Sequence, residues 1–319
     1  MSDRLLIALG TSSQVPTRER NHNAYFVRWD DAGLLFDPGE GTQRQMTHFG
    51  VAAADITAIF LTHLHGDHCL GLPGVIQRLS LDGVAHPVDL YYPASGAEYI
   101  QRLRRASIFT ETAVIREHPV DAPGVICETA RFRIEAQPLD HTVESWGYRL
   151  VEPDTVTLLP EKLEALGLRG PVVGQLKRQG FLDLPNGHRL QVAEVGRAKR
   201  GGSFAFVMDS RPCAGALALA AGVDTLLCEA TFLESEAAEA ERYGHMTARQ
   251  AATVAREAGA GLLVLTHFSR RYRQTDGFVQ EAAAVHPNVI ALSDGMTVPL
   301  RHTARLARSG VANVVRQRS

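Results

Sequence analysis

The chain has 319 residues, 45% of them hydrophobic and 21% charged, as expected for a folded protein with a sizeable core. Its formal net charge of −2 excludes nucleic-acid binding through overall charge, so any polyanion site must be a local basic patch. The early apolar run, residues 5–9, is too short for a signal peptide, and no apolar stretch is long enough to span a membrane. The 4 cysteines form no CxxC pair, so we expect reduced thiols in a cytoplasmic protein without membrane attachment.

Short apolar segments along the chain predict strands that alternate with helices. In chain order, the strands are predicted at residues 5–9, 24–29, 34–36, 59–61, 88–92, 204–208, 225–228 and 262–266. Helices are predicted over about 72–81, near 97–105 and over 247–259. The last helix begins with the capping box of Thr247 and Gln250 and ends at Gly259. This order predicts an α/β fold in which the loops at strand ends carry the chemistry.

One region, residues 160–202, departs from this pattern. It is rich in glycine, lysine and arginine and holds few strong apolar runs. We interpret it as an excursion from the main body of a single domain that takes up the whole chain, residues 1–319.

The densest group of potential metal ligands is the segment 62–68, with the sequence THLHGDH, directly after the predicted strand 59–61. Residues two apart on an extended segment share a face, so His63 and His65 point the same way. Gly66 allows a turn that brings Asp67 and His68 to a second position nearby. A lone histidine here would more often be a surface or capping residue. Four ligand side chains in one short segment instead predict a zinc site, because zinc takes imidazole and carboxylate ligands.

Four further candidate residues lie near the ends of other apolar stretches, where an α/β sheet presents its site. They are Asp37, His141, Asp209 and His267. Each of them alone would commonly be a cap or turn residue. Together with segment 62–68, in this order, they favour one composite site.

These motifs resemble the metallo-β-lactamase superfamily and, within it, ribonuclease Z. Residues 10–21, GTSSQVPTRERN, are similar to the substrate loop of that family, usually PxKxRN, with Arg18 in place of lysine. Four further runs resemble family motifs: FDPGEGTQRQM, THLHGDHCLGLPG, HTVESWGYR and LTHFSRRY. EATF and YGHMTARQAA resemble the paired HEAT and HST motifs. The resemblance covers about residues 5–300.

The family pattern is altered beside three of these motifs. Cys228 stands where the family has the first histidine of HEAT, and Met246 stands for the serine of HST. Met208-Asp209-Ser210 replaces the usual Gly-Asp-Thr. The aspartate itself is kept, so we expect metal binding to be retained, with effects on rate or substrate range.

The resemblance implies a metallo-β-lactamase fold, a four-layer αββα sandwich with a protruding arm at about 160–202. It also implies two zinc ions per chain. One zinc would be held by His63, His65 and His141, the other by Asp67, His68 and His267, with Asp209 bridging both. Asp37 would support this site by hydrogen bonds rather than bind metal. Asp67 would also accept a proton, and His245, oriented by Glu229, would donate one.

The resemblance further implies that the substrate is precursor tRNA. Cleavage at its 3′ end would leave a 3′-hydroxyl on the tRNA and a 5′-phosphate on the trailer. The arm would grip the tRNA body, since phosphate contacts supply much of nucleic-acid affinity. The composition of residues 160–202 alone would favour a solvated, charged loop rather than a tRNA-binding arm. The expected substrate contacts are Arg18, Arg20, Asn21, Ser269, Arg271, Gly170 and Pro171. The family also implies a homodimer.

Two other functions compete with the tRNA endonuclease. The first is a zinc hydrolase of small esters, a phosphodiesterase or arylsulfatase-like relative in the same superfamily. The second is a non-catalytic nucleic-acid-binding protein on the same fold. The complete ligand set argues against the second. The basic arm and the arginine-containing loop argue against the first, because a small ester needs neither.

Overall fold

The computed structural model describes residues 4–300 and the backbone of residues 316 and 317, so the outermost ends of the predicted 1–319 domain lie outside the described residues. The chain divides into two compact units. The smaller unit consists of Thr129–Phe132 and Val151–Gly202, and the remainder of the chain forms the larger unit.

The described strands and helices alternate as an α/β protein requires. In chain order the strands are β1 (Leu5–Gly10), β2 (Ser12–Ser13), β3 (Ala24–Trp29), β4 (Ala32–Phe36), β5 (Ala58–Phe60), β6 (Val88–Pro93), β7 (Ile115–Val120), β8 (Gly124–Glu128), β9 (Arg133–Leu139), β10 (Ser145–Val151), β11 (Thr155–Leu158), β12 (Phe181–Asp183), β13 (Arg189–Gln191), β14 (Gly196–Lys199), β15 (Ser203–Val207), β16 (Thr225–Glu229), β17 (Leu262–Thr266), β18 (Phe268–Ser269), β19 (Val289–Ala291), β20 (Met296–Pro299) and β21 (Arg316–Gln317). The α-helices are α1 (Thr42–Phe49), α2 (Gly66–Cys69), α3 (Leu72–Leu81), α4 (Ala97–Arg104), α5 (Pro160–Ala165), α6 (Pro171–Gln179), α7 (Ala214–Ala220), α8 (Ala237–Tyr243), α9 (Ala248–Glu257) and α10 (Asp276–Ala283).

Two sheets form the larger unit. The first has the strand order β21-β20-β1-β3-β4-β5-β6-β7, and the second has the order β19-β17-β16-β15-β10-β9-β8. In the first sheet, β4, β5, β6 and β7 are parallel neighbours. In the second sheet, β15, β16, β17 and β19 are parallel neighbours. The central parallel strands β4, β5, β15, β16 and β17 are buried along almost their whole length, which explains their nearly continuous apolar sequences.

The two sheets pack face to face through aromatic side chains. The rings of Phe36 and Phe206 stack with centroids 4.7 Å apart, and Phe60 meets Tyr148 at 5.2 Å. Because side chains alternate along a strand, the neighbour of Phe36, Leu35, points to the opposite face. There it joins the apolar cluster that α1, α3 and α4 cover. A second cluster joins the outer face of the second sheet to α7, α9 and α10. The predicted α/β class and four-layer αββα sandwich are confirmed.

The smaller unit has a small core of its own. Within it β11 pairs with β14 and β12 pairs with β13, both antiparallel. Spaced single residues, rather than apolar runs, form its buried cluster, which explains why the sequence there reads as weakly apolar. The cluster consists of Leu163, Leu176, Leu182, Leu190 and Val195.

Most elements predicted in the larger unit are present. Helix α3 has the predicted bounds, and α9 begins after Thr247, whose side chain and that of Gln250 form the expected capping box. Strands β3 and β4 pair as an antiparallel hairpin, and β4 begins at Ala32 rather than at the predicted residue 34, since Asp30 allows a tight turn with its φ of 58°. Among the described helices of the larger unit, the sequence pattern does not predict α1, α2, α7, α8 and α10. None of the described helices has the length and apolarity needed to cross a lipid bilayer.

Candidate metal centre and active site

The candidate site lies where parallel strands of both sheets end. Strands β4 and β5 are parallel neighbours in the first sheet, as are β15, β16 and β17 in the second. Side chains at the carboxyl ends of parallel strands meet at one edge of a sheet, so those that follow these strands can converge. They are Asp37, His63, Asp209, Glu229 and His267.

Asp37 fixes the start of the histidine-rich loop. It is fully buried, and its two carboxylate oxygens accept the N–H and the hydroxyl of Thr62, each at 2.7 Å. Its Oδ2 also accepts the Nδ1–H of His68 at 2.9 Å, which leaves Nε2 of His68 available. Gly39 lets the Asp37 turn close on the loop, because a Cβ there would lie 2.1 Å from the carbonyl oxygen of Asp67.

Four predicted ligands form a first cluster. The ligand atoms of His63, His65, His141 and Asp209 all lie within 4.8 Å of one another. Nδ1 of His65 lies 3.0 Å from Nε2 of His63 and 3.3 Å from Nε2 of His141. Nδ1 of His141 donates to the carbonyl oxygen of Gly244 at 2.8 Å, so its Nε2 is the atom that faces the cluster. Three imidazole nitrogens and one carboxylate oxygen therefore converge.

Three predicted ligands form a second cluster beside the first. The ligand atoms of Asp67, His68 and His267 lie within 4.8 Å of one another. Asp209 lies between the clusters, because its Oδ2 is 3.3 Å from Nε2 of His68 and 3.6 Å from Nε2 of His63. Its Oδ1 is 3.2 Å from Nδ1 of His267. The structure thus brings all the predicted ligands together, with Asp209 shared.

Both clusters have the donor chemistry of a divalent metal site. Among the described residues, Nε2 of His68 and Nε2 of His267 are buried without a hydrogen-bond partner. Burial lowers the pKa of all three histidines of the first cluster, which keeps them neutral. Burial alone would raise the pKa of Asp67, but His68 and His267 hold it well below its usual range. Neutral imidazoles and ionised carboxylates are the forms that bind divalent metals. Burial alone would lower the pKa of His68, but the carboxylates of Asp209, Asp67 and Asp37 raise it well above its usual value, so a divalent cation bound there would replace a proton.

Three of these strand-end residues have a positive φ although none is glycine. The φ angle is 44° at Asp37, 30° at Asp209 and 61° at His267. Such conformations cost roughly 1–3 kcal/mol each and persist only where the surrounding structure fixes them, most often at functional sites. The strained turns therefore lie at the two grouped ligands Asp209 and His267 and at Asp37, which fixes the histidine-rich loop.

His245 and Glu229 form an ion pair beside the clusters. Nδ1 of His245 donates to Oε1 of Glu229 at 3.0 Å and lies 4.0 Å from Oδ2 of Asp209. Glu229 is fully buried and accepts the Ser210 N–H at 2.8 Å and the Thr231 hydroxyl at 2.7 Å. Burial alone would lower the pKa of His245, but the two carboxylates outweigh it and raise the pKa to about 9. The imidazole can therefore carry a proton at neutral pH, as a general acid must.

The N-terminal loop, residues 11–21, contacts the second cluster through its backbone. The N–H of Gln14 donates to Oδ2 of Asp67 at 2.9 Å. Sequence reasoning missed this contact, because a backbone donor leaves no trace in the choice of side chain. Arg18 of the same loop is exposed, as a side chain that reaches a phosphate must be.

Arg20 has a different environment from the one its predicted role requires. It is buried, and its guanidinium donates to the carbonyl oxygens of Ser269 and Tyr272. It therefore ties the N-terminal loop to segment 269–272 in this structure. The side chain of Asn21 donates to the carbonyl oxygen of Glu40 at 2.9 Å, and Arg271 is exposed and paired with Glu236 at 2.8 Å.

The other two predicted substrate contacts, Gly170 and Pro171, lie in the smaller unit. Both are exposed. Gly170 precedes α6 with a φ of 67°, and Pro171 takes the first helical position, where its missing N–H costs no hydrogen bond.

Comparison with known proteins identifies the family of the chain. Residues 17–161 match the family model of the metallo-β-lactamase superfamily. A ribonuclease Z from Nocardia farcinica is 57% identical over 302 residues, which cover 94% of this chain and 99% of that protein. The chain belongs to the ribonuclease Z family. A second ribonuclease Z, from Thermobifida fusca, is 51% identical over 309 residues, covering 95% of this chain and 97% of that protein.

A solved structure agrees with this assignment. Human tRNase Z, short form, aligns with a TM-score of 0.67 and 25% identity, over 93% of this chain and 99% of that one. As a member of the ribonuclease Z family, the chain is a hydrolase of the endoribonuclease type.

Two of the departures from the ribonuclease Z pattern lie in the core. Cys228 and Met246 are fully buried in the apolar cluster between the second sheet and its helices. Burial raises the pKa of the Cys228 thiol well above its usual value, so the thiol stays protonated. At the third departure, the hydroxyl of Ser210 donates to the carbonyl oxygen of Arg211 at 2.6 Å. All three departures leave the clustered ligands in place.

Proposed function

We propose that this chain is a zinc-dependent endoribonuclease that cleaves precursor tRNA at its 3′ end. Cleavage leaves a 3′-hydroxyl on the tRNA and a 5′-phosphate on the trailer. The observation that carries this proposal is the pair of clusters sharing Asp209 next to the His245–Glu229 ion pair. The names of the relatives, ribonuclease Z and tRNase Z, support the choice of substrate.

The metal assignment follows the two clusters. His63, His65 and His141 would hold one zinc ion, and Asp67, His68 and His267 would hold the other, with Asp209 available to both. Two zinc ions held there would supply a nucleophile at neutral pH and neutralise the phosphoryl oxygens.

Three residues of this chain then move or hold protons. Asp67 accepts the proton of the attacking water, and the Gln14 N–H on its Oδ2 fixes the orientation of its carboxylate. His245 protonates the departing 3′ oxygen, which is a poor leaving group. Glu229 keeps that imidazole charged and oriented through the 3.0 Å hydrogen bond.

The zinc content provides a direct prediction. We expect elemental analysis of the purified, zinc-loaded protein to give about two zinc ions per chain, because two clusters of N and O donors are present. His267→Ala removes one ligand of the second cluster and should lower that value towards one. His286→Ala is the matched control, a buried histidine that belongs to none of the grouped ligands, and it should retain about two. One or no transition metal in folded wild type would contradict the assignment.

Substrate binding uses local basic residues, since the net charge is only −2. We assign phosphate contacts to Arg18, which is exposed, and to Ser269 and Arg271. Arg20 and Asn21 shape the loop that presents Arg18, because their side chains donate to backbone carbonyls. Gly170 and Pro171, with the cationic residues of the smaller unit, grip the tRNA body.

Removing most of the smaller unit should distinguish the tRNA endonuclease from the small-ester hydrolase. Residues 154–200 can be replaced by a short Gly/Ser bridge, because the Glu152 N–H already donates to the carbonyl oxygen of Gly202 at 2.9 Å. All predicted metal ligands lie outside this span. We expect turnover of bis-p-nitrophenyl phosphate to change little, while the KM for precursor tRNA rises about tenfold or more and its salt dependence flattens.

A double substitution tests the same idea without a deletion. Lys177→Ala with Arg178→Ala removes two exposed charges from α6, and Arg102→Ala with Arg105→Ala removes two exposed charges from the region of α4. Only the first pair should raise the KM for tRNA. Untouched tRNA cleavage after the deletion would exclude an exosite. If both activities collapse while fold and zinc are retained, the smaller unit helps to build the active site, and the small-ester hydrolase is favoured.

The test of the overall function is cleavage of an unmodified precursor tRNA, with the product ends mapped. A 3′-hydroxyl at the tRNA end and a 5′-phosphate on the trailer are the expected products. Turnover of bis-p-nitrophenyl phosphate without cleavage of tRNA would favour the small-ester hydrolase instead. We further propose a homodimer in the cytoplasm, as the family resemblance implies, and sedimentation velocity measures the assembly.

A further inference from the structure

One partly buried acidic residue outside the clusters, Asp294, binds both ends of the N-terminal loop. Its Oδ1 accepts the hydroxyl of Thr11 at 2.8 Å, and its Oδ2 accepts the backbone N–H of Asn21 at 2.7 Å. The side-chain amide of Gln45, from α1, donates to the same Oδ2 at 3.2 Å. A single carboxylate therefore joins the first and last residues of loop 11–21.

The backbone around Asp294 is itself fixed to the first sheet. The next residue, Gly295, donates its N–H to the carbonyl oxygen of Ala8 in β1 at 2.8 Å. It has a φ of 79°, and a Cβ there would lie 2.5 Å from the ring of Phe49, so only glycine fits this turn. Asp294 thus stands on a rigid part of the fold.

The middle of the same loop reaches the reaction centre. Gln14 has a φ of 57°, a strained conformation for a residue with a side chain. Its side chain is exposed, and its backbone N–H is the group that donates to Oδ2 of Asp67 at 2.9 Å. The loop is pinned across its base by the Ser12 N–H, which donates to the carbonyl oxygen of Asn21 at 3.0 Å. Any shift of the loop ends is therefore passed on to the donor at Asp67.

The environment of Asp294 fits a dedicated support role. Burial raises its pKa to about 6, although the hydrogen bonds from Asn21 and Thr11 and the charge of Arg20 act in the opposite direction. Burying a carboxylate is unfavourable unless donors satisfy it. Two of the three side-chain and backbone donors described above come from the loop, so the acid and the loop stabilise each other.

We propose that Asp294 is a positioning residue that fixes the N-terminal loop and, through the Gln14 N–H, the orientation of the Asp67 carboxylate. This inference rests on the proposed function, which gives Asp67 its role as proton acceptor. It assigns Asp294 a structural hydrogen-bonding role and no contact with substrate.

The test compares Asp294→Ala, Asp294→Asn and a matched control, Asp224→Ala. Asp224 is buried and, like Asp294, accepts one backbone N–H and one hydroxyl, here both from Ser203, but it directly precedes β16 of the second sheet. Asp294→Ala should lower kcat for both bis-p-nitrophenyl phosphate and precursor tRNA by about 10–100-fold, the usual cost of losing a residue that orients a ligand. The KM for the diester should stay within about twofold, because binding groups are kept.

The conservative variant separates geometry from charge. In Asp294→Asn the amide oxygen can accept the Asn21 N–H, and the amide nitrogen can donate to the Thr11 hydroxyl, so most of the activity should return. Amide hydrogen exchange of residues 11–21 should be about tenfold faster in Asp294→Ala, near wild type in Asp294→Asn, and unchanged in Asp224→Ala. Asp224→Ala should lower the Tm while each folded, zinc-loaded molecule keeps wild-type kcat.

The outcomes are distinct. Wild-type kcat in folded Asp294→Ala overturns the proposal, as does a loss of kcat without faster exchange in the loop. An Asp294→Asn variant as impaired as Asp294→Ala also overturns it, because charge and not geometry would then matter. If Asp294→Ala does not fold, Thr11→Val removes one of the hydrogen bonds and should lower kcat by about threefold with faster loop exchange. If wild type hydrolyses the diester but not tRNA, the proposed function fails, and diester kcat with loop exchange still decides the role of Asp294.

Discussion

Asp67→Ala should abolish cleavage of precursor tRNA while the protein stays folded. The substitution removes the proton acceptor and one ligand of the second cluster together. Loss of a general base alone usually costs 10²–10⁴-fold, so we expect a fall in kcat of at least about 10⁴-fold when metal positioning is lost as well. The measurement is single-turnover cleavage, with circular dichroism and zinc content determined on the same sample.

The matched control for this variant is Asp89→Ala. Asp89 also pairs with a histidine, His118, at 2.8 Å, but its partner is half-exposed and belongs to neither cluster. Its loss should leave turnover within about twofold of wild type, as for most surface substitutions. Turnover by Asp67→Ala within a few-fold of wild type would rule out the role of Asp67 as proton acceptor.

His245→Ala should slow cleavage of precursor tRNA by roughly 10²–10⁴-fold, the usual span for a lost general acid. The departing 3′ oxygen of a nucleotide needs a proton, and the pKa of about 9 keeps His245 protonated at neutral pH. A nitrophenolate leaves without one. Turnover of bis-p-nitrophenyl phosphate should therefore fall far less than that of tRNA, and the ratio of the two losses is the measurement.

Zinc content decides between two roles for this residue. His245 is grouped with Asp209 and His267, their ligand atoms within 4.8 Å of one another, so a metal-binding role is geometrically open. If His245 is a general acid and not a metal ligand, the His245→Ala variant should retain about two zinc ions per chain. Loss of zinc in His245→Ala, or equal losses on both substrates, would contradict the general-acid assignment. His286→Ala serves again as the control.

Much of the fold and of the candidate site could be predicted because the signals are local. The short apolar runs of the parallel strands and the capping box at Thr247 involve neighbours within a few residues, so the sequence shows these elements directly. The segment 62–68 follows the same rule. Its ligands share one loop, and a buried strand before them is enough to place them at the end of a sheet.

The smaller unit was harder to interpret. Its buried residues are single leucines and one valine spread over residues 163–195, and they meet only after α5 and α6 fold against the short hairpins. No segment of the smaller unit has an amphipathic helix pattern as clear as that of α9. Long loops and small cores therefore leave weak traces in a sequence, even where the folded chain has a defined packing.

The sequence by itself determined the α/β class, the histidine-rich segment 62–68 and the family resemblance, because each depends on residue type and short spacing. Only the tertiary structure decided which side chains and backbone groups contact each other. It buried Arg20 against backbone carbonyls instead of exposing it to substrate, and it placed the Gln14 N–H on Asp67. It also joined Thr11 to Asp294, 283 positions further along the chain. The pairing of β1 with β20 brings these two residues together, and such long-range pairing depends on the packing of the whole sheet rather than on any local pattern.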